Sequence, residues 1–329
     1  MAFTAEVGGG VTRKLLVASC QLLVQGGSHL KGLCLALIVV LLATVPGRAD
    51  TYYVTVAGLG GEAQYVQRFT SDANALNKLF LAGGPTAHVY TLTGNNSTAA
   101  RLTAVLKEVA AKAKPDDQLV LILIGHGTDD GVVYKYNLVG PDLTGAQIAQ
   151  LCAGVKATRQ IIIDTTSASG GAMKVFEHPG RAIITATKSG TEKNATVFAR
   201  YLVAALQDPT ADLNKDQSIS ALEAFEYAQR KVADYYSSQQ RLATEHPLKN
   251  DDRLLGGMVL VRFGEAQKQY ADPKVASLIA QKETLERQID GLEYRKDALS
   301  DDEYKGEMTD LLLKLAAVQK NLDQQEKQP

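Results

Sequence analysis

The chain has 329 residues, of which 45% are hydrophobic and 22% charged, with a formal net charge of −1. This length accommodates one substantial domain and an additional segment. The nearly neutral charge argues against a nucleic-acid partner, since such proteins usually carry an excess of basic residues.

The N-terminal segment has the pattern of a secretory signal peptide. Residues 32–45 form an apolar run that follows Lys31 and precedes the small residues at 46–49. Cleavage is predicted before Asp50, so residues 1–49 would be a signal peptide and the protein exported. A run of 14 residues is short for a membrane span, and an uncleaved membrane anchor is the alternative. The mature chain would carry 31 basic and 35 acidic residues, a net charge of −4, and Cys152 as its sole cysteine.

Strand and helix patterns alternate along residues 50–265. Strands are predicted at 52–57, 88–92, 119–124, 161–163, 182–186 and 255–263. Residues 132–139 are predicted to form a small insertion between two of these elements. Helices are predicted at 63–81, from Ser97 or Thr98 to about residue 113, and after Thr144. This alternation predicts an α/β fold with a doubly wound, mainly parallel sheet flanked by helices.

Two of these strands end in residues that could take part in catalysis. The run at 119–124 stops at Gly125-His126-Gly127-Thr128, and the run at 161–163 stops at Asp164 and a series of hydroxyl residues that ends in Gly170-Gly171. Active sites in such sheets collect beyond the carboxyl ends of the strands. Asp164 is interpreted as an acceptor of backbone hydrogen bonds within its own turn, and a role in orienting the loop is the alternative.

The two motifs resemble those of the caspase-like peptidases, and within them the legumain branch, whose second motif reads acid-Ala-Cys-x-Ser-Gly. Matching Cys-x-Ser-Gly to residues 167–170 puts Ser167 in the position of the nucleophile and His126 in that of the general base. Matching Asp-x-Cys to residues 164–166 puts Thr166 there instead, and neither register supplies a thiol. The resemblance covers residues 51–263 and implies a caspase-like fold. It also implies that Lys188, in the loop after the next strand, lines the specificity pocket and binds an acidic substrate group.

Two functions remain open at this point. The missing cysteine favours a catalytically impaired, pseudo-peptidase module that binds a peptide or a protein partner through its groove. The alternative is an active endopeptidase-like hydrolase with Ser167 as nucleophile, which would need His126 as a well-oriented base because a serine hydroxyl must lose its proton during attack.

Residues 212–223 match the calcium loop of an EF-hand in the spacing of their oxygen-bearing side chains. The predicted ligand positions are Asp212, Asn214, Asp216, Ser218, Ser220 and Glu223. Gln217 stands at the sixth position, where glycine usually makes the sharp turn, and a non-glycine residue there costs about 1 kcal/mol. The sequence therefore predicts calcium as a cofactor and a calcium-dependent stability.

The C-terminal residues 266–329 follow a different pattern, in which apolar residues recur with heptad spacing. They are Val275, Leu278, Leu285, Ile289, Leu292 and Leu299, followed by Met308, Leu311, Leu315, Val318 and Leu322. Ser300 and Glu303 form a capping box between the two series. An antiparallel helical hairpin is predicted, which packs on its own domain, on a second copy or on another protein.

Overall fold

A computed structural model describes residues 49–326 of the protein. The predicted signal peptide therefore lies outside the described residues, apart from Ala49. The strands are β1 Thr51–Ala57, β2 Ala87–Leu92, β3 Gln118–Ile124, β4 Gly127–Asp129, β5 Tyr134–Tyr136, β6 Leu143–Thr144, β7 Arg159–Asp164, β8 Arg181–Thr185, β9 Ser218–Ser220, β10 Leu248–Lys249 and β11 Val259–Arg262. The α-helices are α1 Ala63–Leu81, α2 Ala99–Lys112, α3 Gly145–Ala153, α4 Met173–Phe176, α5 Phe198–Gln207, α6 Ala221–Ser238, α7 Asp252–Gly256, α8 Gly264–Ala271, α9 Pro273–Tyr294 and α10 Asp301–Glu326.

The centre of the domain is a six-stranded sheet in the order β10-β8-β7-β3-β1-β2. Every neighbouring pair in it is parallel except β10 and β8. Strand β3 is buried along its whole length, as expected of a central strand that is covered on both faces. The predicted mainly parallel, doubly wound α/β fold is confirmed.

Helices cover both faces of this sheet. One face packs on α1, α5 and α6 through residues such as Leu76, Phe198 and Phe225. The other face packs on α2, α3 and α4 through residues such as Leu106, Ile148 and Phe176. Cys152 belongs to this second core, where burial raises the pKa of its thiol to about 12, so it is the inert apolar residue that its helical pattern indicates.

The strand predicted at 255–263 is wrong in part. The side chain of Asp251 accepts the N–H of Leu254 and starts helix α7, so residues 252–256 are helical. Only Val259–Arg262 is extended, and it pairs antiparallel with β9 outside the main sheet. The edge of the main sheet is instead the two-residue strand β10.

The C-terminal helix pair follows the predicted pattern, and its first helix contacts the α/β domain. Ser300 and Glu303 form the predicted capping box before α10. Helix α9 packs against α10, with buried residues Leu292, Val318 and Leu322. On the domain side, Arg262 of β11 pairs with Glu283 at 2.6 Å. Helix α8 spans the predicted boundary at 265/266. Among residues 49–326, no helix is both long and apolar enough to cross a membrane.

Candidate functional site

The two predicted strand ends meet at one edge of the sheet. Strands β3 and β7 are neighbours, and Leu123 pairs with Asp164. The backbone N–H of Gly127 donates to Oγ of Ser167 at 3.1 Å, and Oγ of Ser167 donates to the carbonyl of Gly127, also at 3.1 Å. A Cβ on Gly127 would lie 2.5 Å from the carbonyl oxygen of Ser167, so this approach requires glycine.

The ring of His126 contacts two aromatic side chains of α1. It packs edge-on against Tyr65 and Phe69, with ring centroids 4.9 and 5.2 Å apart. Burial lowers the pKa of His126, as does Arg68, while a hydrogen bond to the backbone of Gly60 opposes them. The ring is therefore neutral at pH 7. Within the described residues, no hydrogen bond joins the His126 ring to Ser167.

Both candidate nucleophiles are buried and already hydrogen-bonded. Ser167 is 2% exposed and Thr166 is fully buried. Oγ1 of Thr166 donates to the carbonyl of Ser167 at 3.0 Å and lies 2.7 Å from the hydroxyl of Tyr134. The hydroxyl protons of Ser167 and Thr166 are thus directed at backbone carbonyls rather than at an imidazole.

The turn that carries these residues is built around Asp164. Its Oδ1 accepts the N–H of Thr166 at 3.1 Å, as the sequence predicts, and its Oδ2 is buried without a hydrogen-bond partner among the described residues. Burial raises the pKa of Asp164 to about 6, and the neighbouring polar groups of Tyr134 and Thr166 offset part of this rise. Ala168 follows Ser167 in the left-handed conformation, with φ of 57°.

Two further loops hold this turn in place. The carbonyl of Glu192 accepts the N–H of Ala168 at 2.8 Å. The carboxylate of Glu192 pairs with Lys188 at 3.7 Å and with the ring of His246. Lys188, which the family resemblance implies as the partner of an acidic substrate group, therefore already faces an acid of its own loop.

A buried carboxylate that sequence reasoning missed lies behind these loops. Glu245 accepts the N–H groups of Val197 and Phe198, at the start of α5, and the hydroxyl of Tyr236. Burial raises the pKa of Glu245 to about 7. No motif marks this residue, because its backbone partners lie 47 and 48 residues away along the chain.

The predicted calcium loop has a turn built from its own oxygens. The carboxylate of Asp212 accepts the N–H groups of Asp216 and Gln217 at 3.2 and 3.0 Å. Lys215 and Gln217 adopt the left-handed conformation, with φ of 61° and 63°. Ser218 and Ser220 lie on β9, and Ser220 caps helix α6 together with Glu223.

The oxygen-bearing side chains suit calcium, but the carboxylate of Glu223 is engaged in hydrogen bonds within the loop. The side-chain donors at 212, 214, 216 and 223 are oxygens, which a hard cation prefers. However, Oε1 of Glu223 accepts the N–H of Leu213 at 3.0 Å, and its Oε2 accepts the N–H and the hydroxyl of Ser220. In residues 49–326, no group of three or more His, Cys, Asp or Glu side chains is arranged to hold a metal.

Comparison with solved structures finds two distant likenesses among the matches. A Geobacter sulfurreducens protein matches with a TM-score of 0.42 and 10% identity, over 63% of this chain and 96% of that one. The Drosophila initiator caspase Dronc matches with a TM-score of 0.41 and 11% identity, over 61% of this chain and 79% of that one. No protein-family model matches the chain, and no curated protein does. These TM-scores and identities are too low for an activity of either protein to be assigned to this chain.

Proposed function

We propose that this is an exported protein of peptidase-like fold that binds a peptide or protein partner at the carboxyl ends of β3 and β7 without cleaving it. The supporting observation is the pair of hydrogen bonds between Ser167 and Gly127. A nucleophilic serine needs its proton directed at a base. Here the proton is directed at a carbonyl, while His126 packs on aromatic rings.

The alternative is an endopeptidase-like hydrolase with Ser167 as nucleophile and His126 as base. Two observations favour it. The two residues belong to turns that touch through Gly127, and His126 is neutral at pH 7, as a base must be. Activity would require Ser167 to release Gly127 and His126 to leave its contacts with Tyr65 and Phe69.

A labelling experiment separates the two functions. Purified protein is treated with a fluorescent peptidyl phosphonate, which reacts covalently with an activated serine, and binding of heptapeptide mixtures is measured in parallel. Binding without labelling supports the binding module. Labelling that disappears in Ser167→Ala and persists in the neighbouring Ser169→Ala supports the hydrolase instead. A protein that neither binds nor reacts would contradict both functions.

We further propose that residues 212–223 bind calcium and that the bound ion stabilises the domain. The support is the oxygen donor set and the negative charge of Asp212, Asp216 and Glu223, none of which forms an ion pair with a described residue. Calcium would offset the negative charge of these three carboxylates, against which the loop itself sets a single cation, Lys215. Binding would require Glu223 to exchange its hydrogen bonds with Leu213 and Asn214.

Export is proposed from the predicted signal peptide. Asp50 is the first residue of the expected mature protein. N-terminal sequencing of protein recovered from the medium or periplasm tests this, because an uncleaved anchor would keep residues 1–49 and leave the protein in the membrane fraction.

A further inference from the structure

Asp129 places a carboxylate beside the turn of Ser167. It lies on β4 two residues after Gly127, so both residues face the same side of the strand, about 7 Å apart. Gly127 contacts Thr166 and Ser167 on that side. The acidic group is thus one strand repeat from the candidate site, and its side chain is partly exposed.

Two glycines make room for this carboxylate. A Cβ on Gly171 would lie 1.8 Å from Oδ2 of Asp129, and one on Gly190 would lie 2.5 Å from its Cγ. Gly171 belongs to the turn that carries Ser167, and Gly190 belongs to the loop of Lys188 and Glu192. Asp129 therefore lies in a notch where three segments meet, and no residue with a side chain fits at either glycine without a shift.

The charge of Asp129 has no counterion among residues 49–326. Its Oδ1 accepts the N–H of Gly131 at 2.6 Å, whereas Oδ2 accepts no hydrogen bond from any described residue. The nearby cation Lys188 is paired with Glu192. The next residue, Asp130, adds a second negative charge to the same segment.

We propose that Asp129 binds the cationic side chain of a lysine or arginine in the peptide ligand. This deepens the proposed function and depends on it, since the peptide must lie along the strand ends. A single unused carboxylate oxygen suits an ammonium group or one arm of a guanidinium. This preference for a cationic side chain is the opposite of the preference for an acidic group that the family resemblance implies for Lys188.

Asp129→Asn and Asp130→Asn form a matched pair of variants. The first keeps a side-chain acceptor for the N–H of Gly131 and removes the charge. Asp130 carries the same charge one position along, directly after β4, but its Oδ1 accepts the N–H groups of Val132 and Val133. A merely structural role for Asp129 would leave ligand preference unchanged in both variants.

The test measures binding of five immobilised heptapeptide mixtures, with arginine, lysine, citrulline, norleucine or glutamate fixed at the centre and uncharged residues elsewhere. We expect the arginine and lysine mixtures to bind about fivefold more tightly than the citrulline and norleucine mixtures, the range of a partly exposed ion pair. Asp129→Asn should remove this preference, and Asp130→Asn should retain it.

The outcomes separate the two proposals. Equal binding of all five mixtures, or a cationic preference that survives in Asp129→Asn, overturns the role of Asp129 and leaves the binding function standing. Failure of every mixture to bind contradicts the proposed function, and this inference with it.

Discussion

At the scale of single residues, the surroundings of Ser167 are the observation on which the proposed function most depends. Its hydroxyl is hydrogen-bonded as both donor and acceptor to one residue, Gly127, and it is almost completely buried. A hydroxyl in this setting contributes to stability in a way that a free nucleophile does not, and this difference can be measured.

Ser167→Ala should lower the free energy of unfolding by about 1–3 kcal/mol, because it leaves the buried N–H of Gly127 without an acceptor. Urea denaturation measures the change. Ser238→Ala is the control, since that exposed hydroxyl donates to the carbonyl of Tyr235 within α6 and its loss should cost less than about 0.5 kcal/mol. A neutral Ser167→Ala would indicate that the hydroxyl is free, which favours the hydrolase.

The strained positions of the calcium loop should respond differently to glycine. Lys215→Gly relieves a left-handed backbone and should stabilise the protein by up to about 1 kcal/mol. Gln217→Gly relieves the same strain, but Oε1 of Gln217 also accepts the N–H groups of Glu265 and Ala266 at the start of α8. Its gain should therefore be smaller or absent in thermal melts. Equal increases in stability in the two variants would show that the hydrogen bonds from the start of α8 to Gln217 contribute nothing.

At the scale of elements, the loop at 212–223 and the helix pair are the parts whose roles are still predictions. The loop joins α5 to α6 through β9, and β9 pairs with β11 directly before the C-terminal helices. The loop and the C-terminal helices are therefore connected through one two-stranded sheet.

Calcium at millimolar concentration should raise the melting temperature by roughly 5 °C relative to chelator, because a ligand at 100 times its Kd stabilises a protein by about 2.7 kcal/mol. Glu223→Ala should abolish this increment. The same variant should also melt lower in chelator, because Glu223 forms the capping box with Ser220. Magnesium at equal ionic strength is the control, and an equal shift with both ions would argue against a calcium site.

The contact of α9 with the domain can be tested through its ion pairs. Glu283→Ala breaks the partly buried pair with Arg262 and should cost about 1 kcal/mol. Glu307→Ala breaks the exposed pair between α10 and Arg295 at the end of α9, and should cost less than about 0.5 kcal/mol. If Glu283→Ala leaves the urea midpoint unchanged, the ion pair with Arg262 does not hold α9 on the domain in solution.

At the scale of the whole molecule, buried carboxylates tie stability to pH. The pKa values of Asp164 and Glu245 are raised by burial, to about 6 and about 7. The folded state therefore binds more protons than the unfolded state between the ordinary pKa of each group and its raised value, and stability falls as pH rises through that interval. The lowered pKa of His126 acts in the opposite direction, below pH 6.5.

The free energy of unfolding should thus decrease between about pH 4.5 and pH 7, the interval between the ordinary pKa of Glu245 and its raised value. Since the pKa of Glu245 rises from 4.5 to about 7 on folding, the stability lost across this whole pH interval is roughly 3 kcal/mol. Glu245→Gln should flatten this slope, although it removes one acceptor from the start of α5 and lowers stability overall. Urea titrations at several pH values give the slope, and an unchanged slope would mean that Glu245 does not titrate there.

The sequence alone determined the order of the elements and much of their extent. Helix α1 matches its predicted bounds, and the caps at Thr98, Thr144 and Ser300 lie as predicted, because periodicity and capping are local properties of the chain. The apolar runs of β3 and β7 likewise identified the edge at which His126 and Ser167 lie.

Only the tertiary structure decided how those residues are used. The hydrogen bonds of Ser167 to Gly127, the support from Glu245 and the notch around Asp129 join segments that are about forty or more residues apart. Residues 255 and 256 of the predicted strand belong instead to helix α7, which the side chain of Asp251 caps. Local patterns state which residues are buried, but the direction of a hydroxyl proton or the partner of a carboxylate depends on which distant segments pack around it.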